Sequence, residues 1–303
     1  MADAIRRVRP AARLHAASGS NALTVERLSP TLGAELHGID LAGAARDDAL
    51  IAEIRALLLR HKVLFFRDQD ITPAQHVAFA RRFGELEIHP VYPHHAEHPE
   101  LVLLDRDYQK AARENIFHTD VSWRATPSLG SVLRCVECPE VGGDTIWVDM
   151  AAAYERLPQR VKERIDGLLA MHDIAHAFGA RLTREERAEL SRRYPPQEHP
   201  VVRTHPETGA KTLYVNQAFT THFSNYLASA EIRSGSDFTL EANALMNYLL
   251  QQAAIPEYQV RMRWRPNTIA FWDNRATQHY AVADYQPAVR RMMRATIIGD
   301  QPR

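Results

Sequence analysis

Apolar positions recur with two different periods along this chain, and the change of period divides it. Behind Asp47, Leu50, Ile51, Ile54, Leu57 and Leu58 return every three or four positions, which predicts a helix from about Asp47. A second helix is expected in "TPAQHVAFARRFG", with Pro73 in its first turn and Gly84 as its stop. "ALTVERLSP" before the first helix and "KVLFFRD" between the two read as strands. Beyond Gly84 runs of strand length dominate: "ELVLLD", "SLGSVLRCVEC", "DTIWVDM", "PVVRTHP", "KTLYVNQ", "QVRMRWRP", "TIAFWDN" and "RRMMRATIIGD". "HPETGAK" and "RPNT" read as hairpin connections, and two further helices are expected around 151–170 and 237–254. Strands in succession with clustered helices point to an antiparallel sandwich or barrel. The expected fold is mainly β with flanking helices, a jelly roll.

Composition narrows the partners more than the fold. The 303 residues are 45% hydrophobic and 24% charged, as in ordinary soluble proteins. Lys and Arg, 37 together, balance 37 Asp and Glu, so neither nucleic acid nor a membrane surface is an expected partner. Charges interrupt the apolar runs before they reach membrane-spanning length. The two cysteines form one C-x-x-C, Cys135 and Cys138, which runs into Pro139 and lacks a second ligand pair for structural zinc. So few cysteines suit a reducing cytoplasm. No repeat or linker divides the chain. Residues 1–22 are expected as a flexible leader rather than a targeting segment, and 23–303 as one domain.

Candidate chemistry begins in "ENIFHTDVSW", residues 114–123. In a strand, His118 and Asp120 would share a face and converge on one spot of the sheet. Taken alone, the pair suits a buried His–Asp hydrogen bond as well as a metal. His279, in "FWDNRATQHYAVADY", is the informative third residue among fifteen histidines. Two histidines and a carboxylate make the facial triad of non-haem Fe(II) oxygenases, which leaves three coordination positions open. In the last strand Arg290, Met292, Arg294 and Thr296 fall on one face. With Met292 inward, two guanidiniums enter the barrel about 13 Å apart. Inward charges need partners, and with no acid near them in sequence, bound anions are expected.

The ordered set "FHTD" (117–120), "GGDT" (142–145), "WDNRATQHYAVADY" (272–285) and "RRMMRATIIGD" (290–300) resembles the Fe(II)/2-oxoglutarate-dependent taurine dioxygenase family. "LRHKVLFFRDQDITPAQ" and "RRFGELEIHPVYPH" extend the resemblance to roughly Leu23–Pro302. It implies a double-stranded β-helix and a cytoplasmic dioxygenase, a homodimer or homotetramer, using Fe(II), 2-oxoglutarate and O2. It implies that His118, Asp120 and His279 bind the iron. Arg290 would clamp the distal carboxylate of 2-oxoglutarate, with the Thr145 hydroxyl as second donor. His89 and Tyr92 match the substrate loop, Arg294 the substrate-anion arginine, Val121 its amide donor, and Phe178 and Phe219 the aromatic walls. Read from residues alone, "HPVYPHHAEHP" is only a His- and Pro-rich loop. The implied substrate is a small anion, first a sulfonate such as taurine, releasing sulfite and an aldehyde. The alternative is an alkyl sulfate ester, an aryloxyalkanoate or another small carboxylic acid. Glu114 replaces an asparagine, and Ala177 a serine, of the taurine-specific pattern, which leaves the substrate's far end open.

Overall fold

A computed structural model describes residues 23–106, 115–226 and 239–303; the expected leader and Glu114 lie outside them. The chain opens with β1 (Thr24–Arg27), β2 (Ala34–His37), α1 (Leu41–Ala44), α2 (Asp48–His61), β3 (Val63–Phe66) and α3 (Pro73–Arg81). Then follow β4 (Leu101–Arg106), β5 (Ser128–Glu137), β6 (Thr145–Asp149), α4 (Met150–Glu155), α5 (Gln159–Ile165) and β7 (Leu169–His172). The middle holds α6 (Ile174–Phe178), α7 (Arg184–Arg193), β8 (Gln197–Pro200), β9 (Val202–Thr204), β10 (Lys211–Leu213) and β11 (Thr220–Phe223). The last part comprises α8 (Leu240–Gln251), β12 (Gln259–Met262), β13 (Ile269–Asp273), β14 (Thr277–Ala281) and β15 (Arg290–Ile298).

Seven strands form the major sheet, in the order β1-β2-β3-β13-β5-β15-β4, and three the minor sheet, β12-β6-β14. Antiparallel pairing prevails, with β2–β3 parallel. Both faces of the major sheet are covered. Leu64, Phe66, Phe271, Met293, Ala295 and Ile297 pack with Phe79 and Phe83 of the α3 region. Val63, Phe65, Trp272 and Met292 face Trp147 and Val260 of the minor sheet. Burial on two faces explains why "VLFF" is continuously apolar instead of alternating. Each such side chain contributes about 1.5–3 kcal/mol on leaving water. A third sheet, β11-β7-β8, packs with α4, α5 and α8 behind the minor sheet and carries the chain into α6.

Helix ends follow local chemistry. Asp47 accepts the Leu50 N–H at 3.0 Å to start α2, and Thr72 with Gln75 forms a reciprocal capping box before Pro73 in α3. That helix ends at Arg81, ahead of Gly84. The long helix expected near 151–170 is instead α4 and α5, separated at Pro158, followed by β7. "RPNT" is not a hairpin: β12 belongs to the minor sheet and β13 to the major one. Asn267, left-handed at φ 61°, carries the crossing between sheets. "ENIFHTDVSW" is not a strand beyond one bridge at His118, because the chain turns from Asp120. Among the described residues no helix is long and apolar enough to cross a membrane.

Gly130 of β5 lies against β13, and a Cβ there would sit 2.3 Å from the Trp272 carbonyl oxygen. Backbone on both sides of that contact cannot yield cheaply. Gly130→Ala is expected to destabilise by about 2 kcal/mol or more. Urea denaturation reads this directly, and an unchanged midpoint would contradict the β5–β13 register.

Candidate active site

One bridge brings the two histidines together. The His118 N–H donates to the His279 carbonyl at 3.0 Å, and the His279 N–H donates back at 2.8 Å. Their rings lie 4.1 Å apart between centroids. Both Nε2 atoms stand 3.9 Å from Asp120 Oδ1, and the three candidate ligand atoms all lie within 4.8 Å of one another. His118 Nδ1 is 2.8 Å from the Ile116 carbonyl, so it carries the proton and leaves the Nε2 lone pair to the site. Among the described residues no other His, Cys, Asp and Glu cluster has this spacing. Cys135 and Cys138 remain free thiols, with burial first and Cys138 next pushing the Cys135 thiol upward.

Asp120 converges with His118 although the two do not share a strand face. It is held otherwise: Ser131 donates to Oδ2 at 3.2 Å, and Arg294 Nη1 to Oδ1 at 2.7 Å. Burial alone would raise this carboxyl's pKa, but Arg294 first, then His279 and His118, hold it well below the carboxylate range. The carboxylate is therefore ionised. This corrects the expectation that Arg294 has only bound anions for partners, because its acid lies 174 positions away in sequence. The pairing is incomplete: Arg294 Nε is buried with no partner among the described residues.

Arg290 Nη2 donates to Thr145 Oγ1 at 3.2 Å, and Trp264 Nε1 donates to the same oxygen at 2.9 Å. With both lone pairs engaged, the Thr145 hydroxyl hydrogen is left to donate to something else. The glycines of "GGDT" serve Arg290 too. Gly143 is left-handed at φ 69°, and a Cβ there would meet Arg290 Cδ at 3.3 Å.

At the other end, His89 Nδ1 accepts the N–H groups of Val91 at 3.2 Å and Tyr92 at 3.4 Å, so its proton is on Nε2. Burial, with Arg294 next, lowers its pKa to about 3, and His89 is a neutral donor. Tyr92 and Phe178 pack against it at 4.8 and 6.2 Å, and Phe219 stands 6.3 Å from Phe178. Val121 adopts φ 47°, which for a β-branched residue costs on the order of 1–3 kcal/mol. Nothing among the described residues accepts its N–H.

The three candidate ligands line one cavity of about 400 Å³ together with Thr145, Arg290, Arg294, His89, Tyr92, Val121, Phe178 and Phe219. Every site residue expected from the sequence is there, and Ala177 with them. Four residues were not anticipated. Arg106 on β4 faces Arg290 across the ladder. The Trp272 ring lies 4.9 Å from that of His279. Trp264 binds Thr145, and Asn274 binds the Asp120 backbone at 3.0 and 2.9 Å. The polar "DN" after an apolar strand was the available signal for Asn274.

Similarity to known proteins extends over most of the chain. The model of the taurine catabolism dioxygenase TauD, TfdA family matches residues 24–296. An alkylsulfatase of Acinetobacter baylyi is 37% identical over 92% of this chain and 86% of its own. An alpha-ketoglutarate-dependent sulfate ester dioxygenase of Pseudomonas putida is 35% identical over 92% and 91%. The crystal structure of a taurine dioxygenase from Burkholderia xenovorans superposes with a TM-score of 0.76, at 37% identity over 92% and 90% of the two chains. The chain belongs to the TauD, TfdA family and has its jelly-roll fold. It is a 2-oxoglutarate-dependent dioxygenase of the sulfonate, sulfate ester or aryloxyalkanoate type, using Fe(II), 2-oxoglutarate and O2. The donor set fits the metal: two imidazole nitrogens, one carboxylate oxygen and an open cavity beside them.

The ion pair separates the three candidate ligands experimentally. His118→Ala and His279→Ala are expected to lower Fe(II) affinity more than about a hundredfold with little change in melting temperature. Asp120→Ala should lose the metal and also roughly 3 kcal/mol of stability, because it leaves the Arg294 charge buried. Anaerobic Fe(II) titration and thermal denaturation check this; equal melting temperatures for the three variants would contradict it.

Proposed function

We propose that His118, Asp120 and His279 hold Fe(II), that Arg290 and the Thr145 hydroxyl hold the distal carboxylate of 2-oxoglutarate, and that the substrate is an alkyl sulfate ester. The supporting observation is a three-donor anion site that opens onto an apolar wall. Arg294, the His89 Nε2–H and the Val121 N–H come from a strand, a loop and a turn, and all line one cavity. Three convergent donors suit an oxyanion with three terminal oxygens better than a two-oxygen carboxylate. Beyond them the lining includes Val91, Ile116, Ala177, Phe178, Ala218 and Phe219. Among the described lining residues Asp120 is the only acid, and it serves the metal, so none is placed for taurine's ammonium. An uncharged alkyl chain fits that wall, and Ala177, lacking a hydroxyl, widens it without adding a polar group. The similarity to an alkylsulfatase and a sulfate ester dioxygenase points the same way.

When bound, the ferrous ion and 2-oxoglutarate together supply oxidative decarboxylation to succinate and CO2 and the oxygenation of a nearby C–H bond. The protein's part is placement. Arg290 forms a planar fork for a carboxylate, and Thr145, already accepting two hydrogen bonds, donates to the same group. Arg294, His89 and Val121 fix the sulfate, so that the carbon bearing its ester oxygen lies toward the three ligands. Phe178, Phe219 and Tyr92 exclude water from that carbon. Hydroxylation there gives a hemiacetal sulfate, whose carbon–sulfate bond breaks to leave an aldehyde and hydrogensulfate. A taurine-like sulfonate, the first expectation from the sequence, is the second reading, since the same donors suit its SO3 group. It would release sulfite instead.

Oxygen uptake across hexyl sulfate, hexanesulfonate, taurine and phenoxyacetate tests the substrate. Sulfate release from hexyl sulfate is expected to exceed sulfite release from taurine in kcat/KM, and the reverse order overturns the ester reading. Arg294→Leu is expected to weaken the sulfate ester about ten- to a hundredfold while 2-oxoglutarate still binds. Arg290→Lys is expected to raise the requirement for 2-oxoglutarate far more than for the ester, because a point charge replaces a fork. Unchanged 2-oxoglutarate affinity by titration would remove Arg290 from the clamp.

A further inference from the structure

We propose that Asn274 and Asn216 are positioning residues that hold the turn around Val121, so that one peptide serves the metal ligand on one side and the substrate anion on the other. This rests on the Val121 N–H being a substrate donor, as read above. Past His118 the chain leaves the ladder, and Asp120 has no strand neighbour. Asn274 replaces one: its Oδ1 accepts the Asp120 N–H at 3.0 Å, and its Nδ2 donates to the Asp120 carbonyl at 2.9 Å and to Ser128 Oγ at 2.7 Å. The Asp120 carbonyl and the Val121 N–H belong to the same planar trans peptide and point in opposite directions. Tying that carbonyl back to Asn274 therefore turns the Val121 N–H toward the cavity that Val121 lines.

The other side of Val121 is tied as firmly. Ser122 is fully buried; its Oγ accepts from Asn216 Nδ2 at 3.0 Å and lies 3.0 Å from His172 Nδ1. Thr220 Oγ1 accepts the Asn216 backbone N–H at 2.9 Å and lies 3.5 Å from His172 Nε2, which closes a ring of four residues. Asn216 Oδ1 also accepts the N–H groups of Ala218 and Phe219 at 3.2 and 3.1 Å. Neither asparagine lines the cavity, nor do Ser122 and His172, so they act on ligands only through the residues they hold. The two clamps flank the φ 47° residue and oppose its return to a relaxed backbone. Through them the metal carboxylate, the anion donor and the Phe219 wall share one frame.

The test compares Ser122→Ala and Asn274→Ala with the parent enzyme, each supplied with Fe(II) and 2-oxoglutarate. In Ser122→Ala the substrate KM is expected to rise about tenfold, while kcat, the 2-oxoglutarate KM and anaerobic Fe(II) affinity stay within about twofold. In Asn274→Ala the Fe(II) dissociation constant is expected to rise together with the substrate KM. Asn274→Asp keeps the acceptor for the Asp120 N–H and loses the donor to its carbonyl, so the same joint shift is expected there, whether or not the alanine variant folds. A Ser122→Ala substrate KM within twofold of the parent overturns the proposal. So does a rise matched by 2-oxoglutarate KM and a fallen melting temperature, which is what a merely structural role gives. The KM is read for whichever anion the parent turns over, so a different substrate class defeats the ester reading and leaves this test intact.

Discussion

Charge held out of water between two sheets is the constraint around which this active site is arranged. Arg290, Arg294 and Asp120 are all buried, and their formal charges sum to a single positive charge. A ferrous ion raises the total to plus three, and a 2-oxoglutarate dianion with a monoanionic substrate returns it to zero. Uncompensated charge in such a place costs several kcal/mol. The buried charges therefore balance in the fully loaded state with a singly charged substrate, the partly exposed Arg106 of the lining apart. A sulfate ester meets that condition, as do a sulfonate and a carboxylate; the number of donors and the apolar wall choose among them.

The fold meets the constraint by spending its most rigid elements on it. Arg290 and Arg294 project from β15, a strand paired on both sides in the major sheet. Thr145 and His279 come from adjacent strands of the minor sheet, where His279 stands opposite Trp147. Groups that line the apolar end of the cavity come instead from less regular segments: the loop of Val91 and Tyr92, the short α6 and the turn before β11. Charged groups held mostly on strands and apolar lining held mostly on loops are how one jelly roll can serve different anions.

How far the sequence foretold this depends on the range of the interaction. β15 was legible because alternation along a strand is a local property, and Arg290, Met292 and Arg294 do share a face. The capped helices α2 and α3 were legible for the same reason. β14 was not, since Thr277, Gln278 and His279 make a strand without an apolar signature; they are buried as polar groups with partners far away. His118 and Asp120 were found by their chemistry and misplaced by their geometry, because a left-handed Val121 cannot be inferred from a β-branched residue. Arg294 was expected to meet a bound anion, and its protein partner Asp120 lies outside any sequence window that could have suggested it.

The two buried Asp–Arg pairs nearest the triad show how structural and functional charge differ. Arg275 binds Asp273 through two nitrogens, Nε to Oδ1 at 2.9 Å and Nη2 to Oδ2 at 2.8 Å, and its third nitrogen reaches Glu207 at 2.7 Å. His205 Nε2 donates to the same carboxylate at 2.9 Å. That network is closed; it fixes the turn between β13 and β14 and hence the height of His279. Arg294 touches Asp120 through one nitrogen only and keeps a buried Nε without a partner among the described residues. An open pair is less stable than a closed one of equal burial, because a desolvated donor goes unmet. Unlike the closed Arg275 network, the Arg294–Asp120 pair lies in the cavity wall, where a bound metal can meet the carboxylate and a bound anion the guanidinium.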